Sequence, residues 1–99
     1  MTIRHVVTWQ LTTTDPAEKA EQAARIVDSL EALVGQVDGL LSLRVGTDVV
    51  GGGNWDLALL ADFDDVEAID RYQTHPEHQK AGAYIRTVVA HRSCVDFAL

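Results

Sequence analysis

Residues 71 to 78 read Arg-Tyr-Gln-Thr-His-Pro-Glu-His, and they combine a helix boundary with three side chains that can transfer protons. Pro76 fixes its own φ and has no N–H to leave unbonded, so it favours the first position of a helix. A helix that starts there places His75 at its cap and His78 in its first turn. The residues that then recur at helical spacing are His78, Gly82, Ile85 and Val89. The imidazole of His78 therefore lies on the face that we expect to be buried.

Composition indicates one small globular domain over residues 1–99. The chain is 46% hydrophobic and 23% charged, and its formal net charge is -7. Nucleic acid and anionic membrane surfaces attract basic clusters, but the eight Lys and Arg residues are scattered along the chain. We therefore expect neither a nucleic-acid partner nor a membrane partner.

Cysteine use and hydropathy indicate the compartment. Cys94 is the only cysteine, which excludes an internal disulfide and is typical of a reducing environment. No apolar run approaches the ~20 residues of a membrane span. The first residues lead directly into a strand pattern rather than a signal sequence. These features predict a cytoplasmic protein.

Hydrophobic periodicity predicts four strands and three helices. Alternation with period two marks strands over residues 3–11, 40–50, 55–63 and 90–98. Helices are predicted from Pro16 to about Val37, from Asp64 or Asp65 to about Thr74, and from Pro76 to about Val89. The apolar stripe expected on the first helix is Ala20, Ala23, Val27, Leu30, Val34 and Val37. The stretch Gly51-Gly52-Gly53-Asn54 lacks the ending of a phosphate-binding loop and predicts a hairpin turn.

The order strand, helix, strand, strand, helix pair, strand predicts an α+β, ferredoxin-like fold with helices on one face of a four-stranded antiparallel sheet. The other face is predicted to mix aliphatic and charged residues: Val6, Val50, Ala58 and Leu60 with Arg4, Arg44, Asp56, Asp62, Arg92 and Asp96. A solvated face is one interpretation. We favour a homodimer, because a single sheet with one bare face leaves a small domain short of core.

Four stretches resemble the stress-responsive A/B barrel, or Dabb, family. They are residues 3–7, residues 45–49, residues 56–59 and the Tyr-x-x-His-Pro-x-His segment of residues 72–78, of which the last is the most specific. The resemblance extends over nearly the whole chain. It implies a dimeric α/β barrel made of ferredoxin-like subunits.

The resemblance also implies roles for individual residues. One plant member of the family is a polyketide cyclase that closes a linear thioester by aldol condensation without metal or organic cofactor. Its catalytic base corresponds to His78, its substrate-holding tyrosine to Tyr72, and a histidine of its pocket to His5. Two other polar pocket groups of that enzyme correspond here to Leu57 and to an aliphatic position around residues 27–30. The resemblance therefore implies the fold, the dimer and a less polar or narrower pocket, but not the cyclisation.

We expect a largely apolar pocket between the helices and the sheet. Three polar side chains should reach it, namely His5, Tyr72 and His78, and its walls should include Val7, Trp9, Leu59 and Ile85. Each polar residue also has a structural interpretation, since a buried histidine or tyrosine needs a hydrogen-bond partner in any case.

Three further features are interpreted as structural. His75 and His78 have the i,i+3 spacing of metal ligands but no third ligand, so we predict no metal site. Cys94 has no base near it in the sequence pattern and is expected to be inert. Trp9 and Trp55 are expected to be core and hairpin anchors rather than an aromatic cage.

Two classes of function remain open at this stage. In the first, the protein is a cofactor-free enzyme that acts on a small, largely apolar carbonyl compound, with His78 as the base and Tyr72 as the hydrogen-bond donor. A cofactor-independent monooxygenase acting on a phenolic compound is a variant of that class. In the second, the protein is a non-catalytic ligand-binding or stress-response dimer. Tyr72 and His78 favour the first class, and the loss of other polar pocket groups favours the second.

Overall fold

Four strands and three helices make up the computed structural model, which describes residues 1–99. The strands are β1 (Ile3–Leu11), β2 (Leu40–Thr47), β3 (Leu57–Phe63) and β4 (Val89–Ala98). The helices are α1 (Pro16–Glu31), α2 (Val66–Thr74) and α3 (Pro76–Val88). The sheet is antiparallel with strand order β2-β3-β1-β4. The predicted ferredoxin-like fold class is therefore confirmed. No helix is both long enough and apolar enough to cross a membrane.

The helices begin where the sequence predicts, and each start has a side-chain cap. Asp15 and Asp65 each accept the backbone N–H three residues ahead, at 2.9 Å in both cases. Pro76 opens α3, and His75 Nδ1 accepts the N–H of Glu77 at 3.1 Å. These bonds satisfy amides that an isolated helix end leaves unpaired. His75 is therefore a helix cap, and its Nδ1 is not free to bind a metal ion.

The first helix ends earlier than predicted, at Glu31 instead of near Val37. The residues that follow form turns, in which Gly35 has a φ of 87° and Gly39 a φ of 88°. That left-handed backbone conformation is easily adopted by glycine and is incompatible with a continuing right-handed helix. Leu33 and Val37 still reach the core from these turns, which is why the apolar periodicity continues past the end of the helix.

The buried stripe of α1 is also rotated from the predicted one. Its buried residues are Ala23, Ile26 and Leu30, with Ile26 at 0% exposure. Ala20 is exposed, and Val34, beyond the helix, is 44% exposed. Both Ile26 and Val27 fit a spacing of three or four from Ala23, so periodicity alone does not decide between them.

The register of the sheet determines which side chains face the helices, because residues directly opposite one another point to the same side. His5 lies opposite Asp96, and Trp9 lies opposite Arg92. His5 and Trp9 are buried under the helices. Arg92 and Asp96 therefore lie on the helical side of the sheet, and the prediction that they lie on the open face is wrong.

Two other residues assigned to the open face lie elsewhere. Asp56 precedes β3 and reaches towards α1, where its carboxylate is 2.9 Å from Lys19 Nζ and also accepts the N–H of Leu11 at 2.8 Å. Val50 belongs to the β2–β3 loop and is 80% exposed. The predicted second strand therefore ends at Thr47 rather than at Val50.

The face of the sheet without helices is more apolar than predicted once these residues are removed from it. Val6 lies opposite Leu60 on β3 and opposite Val95 on β4, so three aliphatic side chains form a row across the sheet. Phe97 lies beside this row and is 45% exposed. Two of the charged residues that remain on this face form an ion pair with each other, in which Arg4 Nε donates to Asp62 Oδ1 at 2.9 Å. An apolar row flanked by a neutralised ion pair is typical of a surface that another protein covers.

The contribution of the α1 stripe to stability can be tested with a matched pair of variants. Ile26→Ala should lower the free energy of unfolding by about 2–5 kcal/mol, because it leaves a cavity in a fully buried site. Val34→Ala removes methyl groups from a half-exposed site and should have a small effect. Denaturant unfolding followed by circular dichroism measures both. Similar losses for the two variants would contradict the observed stripe.

Candidate functional site

A cavity of about 290 Å³ lies between the sheet and the helices. All seven residues that the sequence predicts for a pocket line this cavity: His5, Val7, Trp9, Leu59, Tyr72, His78 and Ile85. Five further residues also line it: Leu30, Gln73, Gly82, Arg86 and Arg92. The structure thus brings the predicted residues together, while their chemical roles remain a prediction.

Tyr72 is at the centre of an aromatic cluster. It is 2% exposed, and its ring centroid is 5.2 Å from that of Phe63 and 4.3 Å from that of His78. Burial raises the pKa of the Tyr72 phenol well above its ordinary value, while the charge of Arg92 has a smaller, opposite effect. No protein group forms a hydrogen bond with the hydroxyl, and the hydroxyl oxygen is not completely buried. Tyr72 therefore offers a neutral O–H donor to the cavity.

His78 lies in the first turn of α3, as predicted, and is half-buried. Burial lowers the pKa of its imidazole, and electrostatic interactions with His5, Arg92 and Arg86 lower it further. A hydrogen bond involving the Gln73 backbone acts in the opposite direction but is outweighed. At neutral pH the ring is consequently uncharged, and an uncharged imidazole has a nitrogen that can accept a proton.

His5 is 2% exposed, and its Nδ1 bonds the carboxylate of Asp96. In the neutral ring, a carboxylate at Nδ1 favours the tautomer that carries its proton there, and Nε2 is then the acceptor nitrogen. Nε2 has no hydrogen-bond partner in the protein and is not completely buried. His5 can therefore be both a structural residue and a pocket residue, because Nδ1 bonds Asp96 while Nε2 is available to the cavity.

Cys94 lies beside this pair, with its Sγ 3.5 Å from His5 Nδ1. The prediction that no base lies near this cysteine is therefore wrong. Burial raises the pKa of the thiol, and the negative charge of Asp96 raises it further. The thiol stays protonated at neutral pH and is a poor nucleophile. His5, Cys94 and Asp96 form the one cluster with three possible metal-ligand atoms, all within 4.8 Å of one another.

Asp96, Arg86 and Arg92 were not among the predicted site residues. Arg92 and Asp96 belong to β4, whose alternation is readable in the sequence, although the pattern does not reveal which of its faces meets the helices. Arg86 lies one position after Ile85, which points into the core. Neighbours along a helix are separated by about 100°, so its approach to the cavity comes from a long side chain rather than from the apolar stripe.

Two other cavities lack the chemistry of this one. A larger cavity of about 890 Å³ lies between α1 and the loop that joins β2 to β3. Another of about 500 Å³ lies on the open face of the sheet, beside β2 and β3. Neither is lined by a histidine or a tyrosine. We take the smaller cavity as the candidate site, because three side chains that can transfer protons line it.

The fold and the cavity define a small α+β protein of the ferredoxin-like class with a helix–sheet pocket. Residues 3–99 match the model of the stress-responsive A/B barrel domain family, and the chain belongs to that family. No curated protein sequence matches the chain closely enough to count as a relative.

Several solved structures are similar to this chain. A dimeric protein of unknown function from Bacteroides fragilis has a TM-score of 0.91 and 29% identity, with 99% of this chain and 96% of that chain covered. A dimeric ferredoxin-like protein from Thermobifida fusca has a TM-score of 0.84 and 33% identity, with 100% and 92% covered. SnoaB from Streptomyces nogalater, a cofactor-independent oxygenase, has a TM-score of 0.72 and 14% identity, with 99% and 92% covered. At that identity the likeness to SnoaB shows the fold alone.

The depressed pKa of His78 can be measured directly. NMR titration of its imidazole should give a midpoint below the ~6.5 of a free histidine. The unfolded chain then binds a proton at a higher pH than the folded chain, so His78 makes stability fall as the pH decreases through that range. His78→Gln should reduce this dependence. A midpoint at or above that of a free histidine would contradict the arrangement.

Proposed function

We propose that the protein binds a small, largely apolar compound in the cavity of about 290 Å³ and catalyses a proton transfer on it without a cofactor. One observation carries the proposal: the rings of Tyr72 and His78 lie 4.3 Å apart, centroid to centroid, at the same cavity. A phenol donor and an imidazole acceptor at that separation can contact neighbouring atoms of one small molecule.

The proposed roles follow from the charge state of each group. His78, uncharged at neutral pH, accepts a proton from a carbon acid or a phenol. Tyr72, kept neutral by its burial, donates a hydrogen bond to the oxygen on which negative charge develops. His5 offers Nε2 as a second acceptor, and Asp96 orients its ring. This division resembles that in other enzymes whose paired groups have pKa values moved apart by their surroundings.

The size and walls of the cavity limit the substrate. Its volume of about 290 Å³ is at the lower end of the ~300–1,000 Å³ usual for ligand pockets. A cavity of ~150 Å³ holds one benzene ring, so a single substituted ring or a short chain fits here better than a polycycle. Val7, Leu59 and Ile85 line the wall and favour an apolar body. Short polyketide thioesters and simple phenols have this chemistry.

A non-catalytic ligand-binding dimer is the second candidate. The observation that favours it is the aromatic packing of Tyr72, whose ring contacts Phe63, His5 and His78. Such packing, with the Gln73 backbone near the imidazole, would hold the same rings in place without any reaction. SnoaB is described as a cofactor-independent oxygenase. Oxygenation of a phenolic compound in the present cavity is a variant of the first candidate, because it would likewise begin with removal of a proton.

We also propose that the chain forms a homodimer through the open face of its sheet. The row formed by Leu60, Val6 and Val95 gives this face an apolar centre, and Phe97 extends it. The two similar structures from Bacteroides fragilis and Thermobifida fusca are described as dimeric. Covering the row removes apolar surface from water and completes the core that one sheet layer lacks.

The proposed catalytic roles predict different losses for two variants. Short polyketide thioesters and polyphenols should be screened for turnover by the wild type. His78→Ala should reduce the rate by ~100-fold or more, because it removes the general base. Tyr72→Phe keeps the ring packing, removes only the hydroxyl and should reduce the rate less. His91→Ala, an exposed histidine outside the cavity, is the control.

The outcomes separate the two candidates. Equal rates for the wild type and His78→Ala would remove His78 from the mechanism. Binding without turnover for every compound would favour the non-catalytic candidate.

The proposed dimer predicts the mass at which the wild type and an interface variant sediment. The wild type should sediment at twice the 10.8 kDa of one chain. Leu60→Asp places a charge in the apolar row and should give a folded monomer, because this side chain is 46% exposed in the single chain. Val66→Asp alters a similarly exposed residue on α2 and should remain dimeric. A wild-type mass of one chain at micromolar concentration would exclude the dimer.

A further inference from the structure

Six of the eight cationic side chains have partners, and two do not. Arg4, Lys19, Arg44, Arg71 and Lys80 form ion pairs with carboxylates. The Arg25 guanidinium lies 3.9 Å from the centroid of the Tyr84 ring. Arg86 and Arg92 have neither kind of partner. In a chain with 15 acidic residues and only eight basic ones, cations left without a carboxylate are unexpected.

Both unpartnered arginines line the candidate cavity. Arg86 belongs to the last turn of α3 and Arg92 to the edge strand β4, so they approach the cavity from two different elements. Both are exposed, whereas the walls Val7 and Leu59 are 1% exposed. The two guanidinium groups therefore belong to the solvent side of the cavity and the aliphatic walls to its interior.

The charged residues that line this cavity are both arginines, although the protein as a whole is acidic. None of the twelve lining residues is Asp or Glu. The nearby carboxylate of Asp96 is bonded to His5. Arg92 and Arg86 both lower the pKa of His78, beside the larger effects of burial and of His5, so their charge reaches the proton-transferring groups. By contrast, the larger cavity beside α1 is lined by Asp28, Asp48 and Asp56.

We infer that the ligand of this cavity is a small organic carboxylate, whose apolar body lies among the aliphatic walls and whose carboxylate is bound by Arg86 and Arg92. The inference rests on the proposed ligand-binding function of the cavity. A guanidinium group matches a carboxylate with two parallel N–H donors. Arginines without another anion would bind that group without first breaking an ion pair.

A pair of isosteric probes isolates the charge of the ligand. 4-Butylbenzoate and 4-butylbenzamide have the same ring and chain, and they differ in carrying a carboxylate or a neutral amide. Calorimetry at neutral pH should show the wild type binding the acid at least about tenfold more tightly than the amide. Arg86→Gln and Arg92→Gln should each reduce this ratio, and the double variant should bring it close to one.

Matched variants control for general effects of charge and folding. Lys80→Gln removes a cation from the same helix as Arg86, but Lys80 does not line the cavity, so the ratio should stay that of the wild type. Arg92→Lys keeps the charge while losing the bidentate donors, and it should retain part of the preference. Circular dichroism confirms that each variant is folded, and binding of the neutral amide should persist in the double variant.

The possible results distinguish this inference from the proposed function. Equal affinity of the wild type for the acid and the amide would overturn the carboxylate inference but leave a ligand-binding cavity. A preference for the acid that survives in the double variant would also overturn it, because the arginines would then not bind the anion. Failure of the wild type to bind either probe would count against both the carboxylate inference and the proposed ligand-binding cavity.

Discussion

The pairing of β1 with β4 determines the character of both faces of the sheet. Its register places His5 opposite Asp96, and the bond between their side chains ties the buried ring of His5 on the central strand to the edge strand. The same register sets Arg92 opposite Trp9 on the helical side and Val95 opposite Val6 on the open side. Because side chains alternate along a strand, a slip of one residue would exchange the two faces of β4.

The edge strand therefore places its charged residues Arg92 and Asp96 towards its own helices and the apolar Val95 and Phe97 away from them. This is the reverse of the usual arrangement in an isolated domain. Arg92 and Asp96 lie at the margin of the helical layer and remain exposed. Arg92 lines the cavity, and Asp96 bonds His5, which also lines it. The apolar side chains of β4 extend the row on the open face. One register thus accounts for a charged cavity on one side and, in the proposed dimer, for a covered surface on the other.

The sequence predicts the local features well and the faces of β4 poorly. Pro76 marks the start of α3, and helical spacing from that point places His78 and Ile85 towards the sheet. The alternation of β1 and β3 points to the four strand residues among the seven that line the cavity, while the roles of all seven remain a prediction. Period two on β4 is equally clear, but both of its faces mix polar and apolar residues. Assigning the face that carries Val95 and Phe97 to the helices is the natural choice for a single chain, and it misplaces Arg92 and Asp96.

The end of α1 and the bend of β2 were missed for related reasons. Leu33 and Val37 reach the core from turns, so burial continues beyond the last helical residue, Glu31. On β2 the register shifts between Leu40 and Ser42, and Leu41 is 51% exposed, although strict alternation would place it on the buried side with Leu43 and Val45. Apolar periodicity indicates which side chains are buried. Glycines and β-bulges determine where a helix ends or a strand changes register, and the periodicity does not show these positions.

The two arginines that line the cavity also explain how an acidic protein could bind an anion there. A net charge of -7 repels anions, but at physiological ionic strength that repulsion is screened beyond ~8 Å. At the cavity itself, Arg86 and Arg92 form no ion pair and no Asp or Glu belongs to the lining. The two arginines also help to keep His78 uncharged. An anion bound beside them would offset part of that effect and make His78 a stronger base, so binding of the proposed ligand would itself prepare the imidazole for proton transfer.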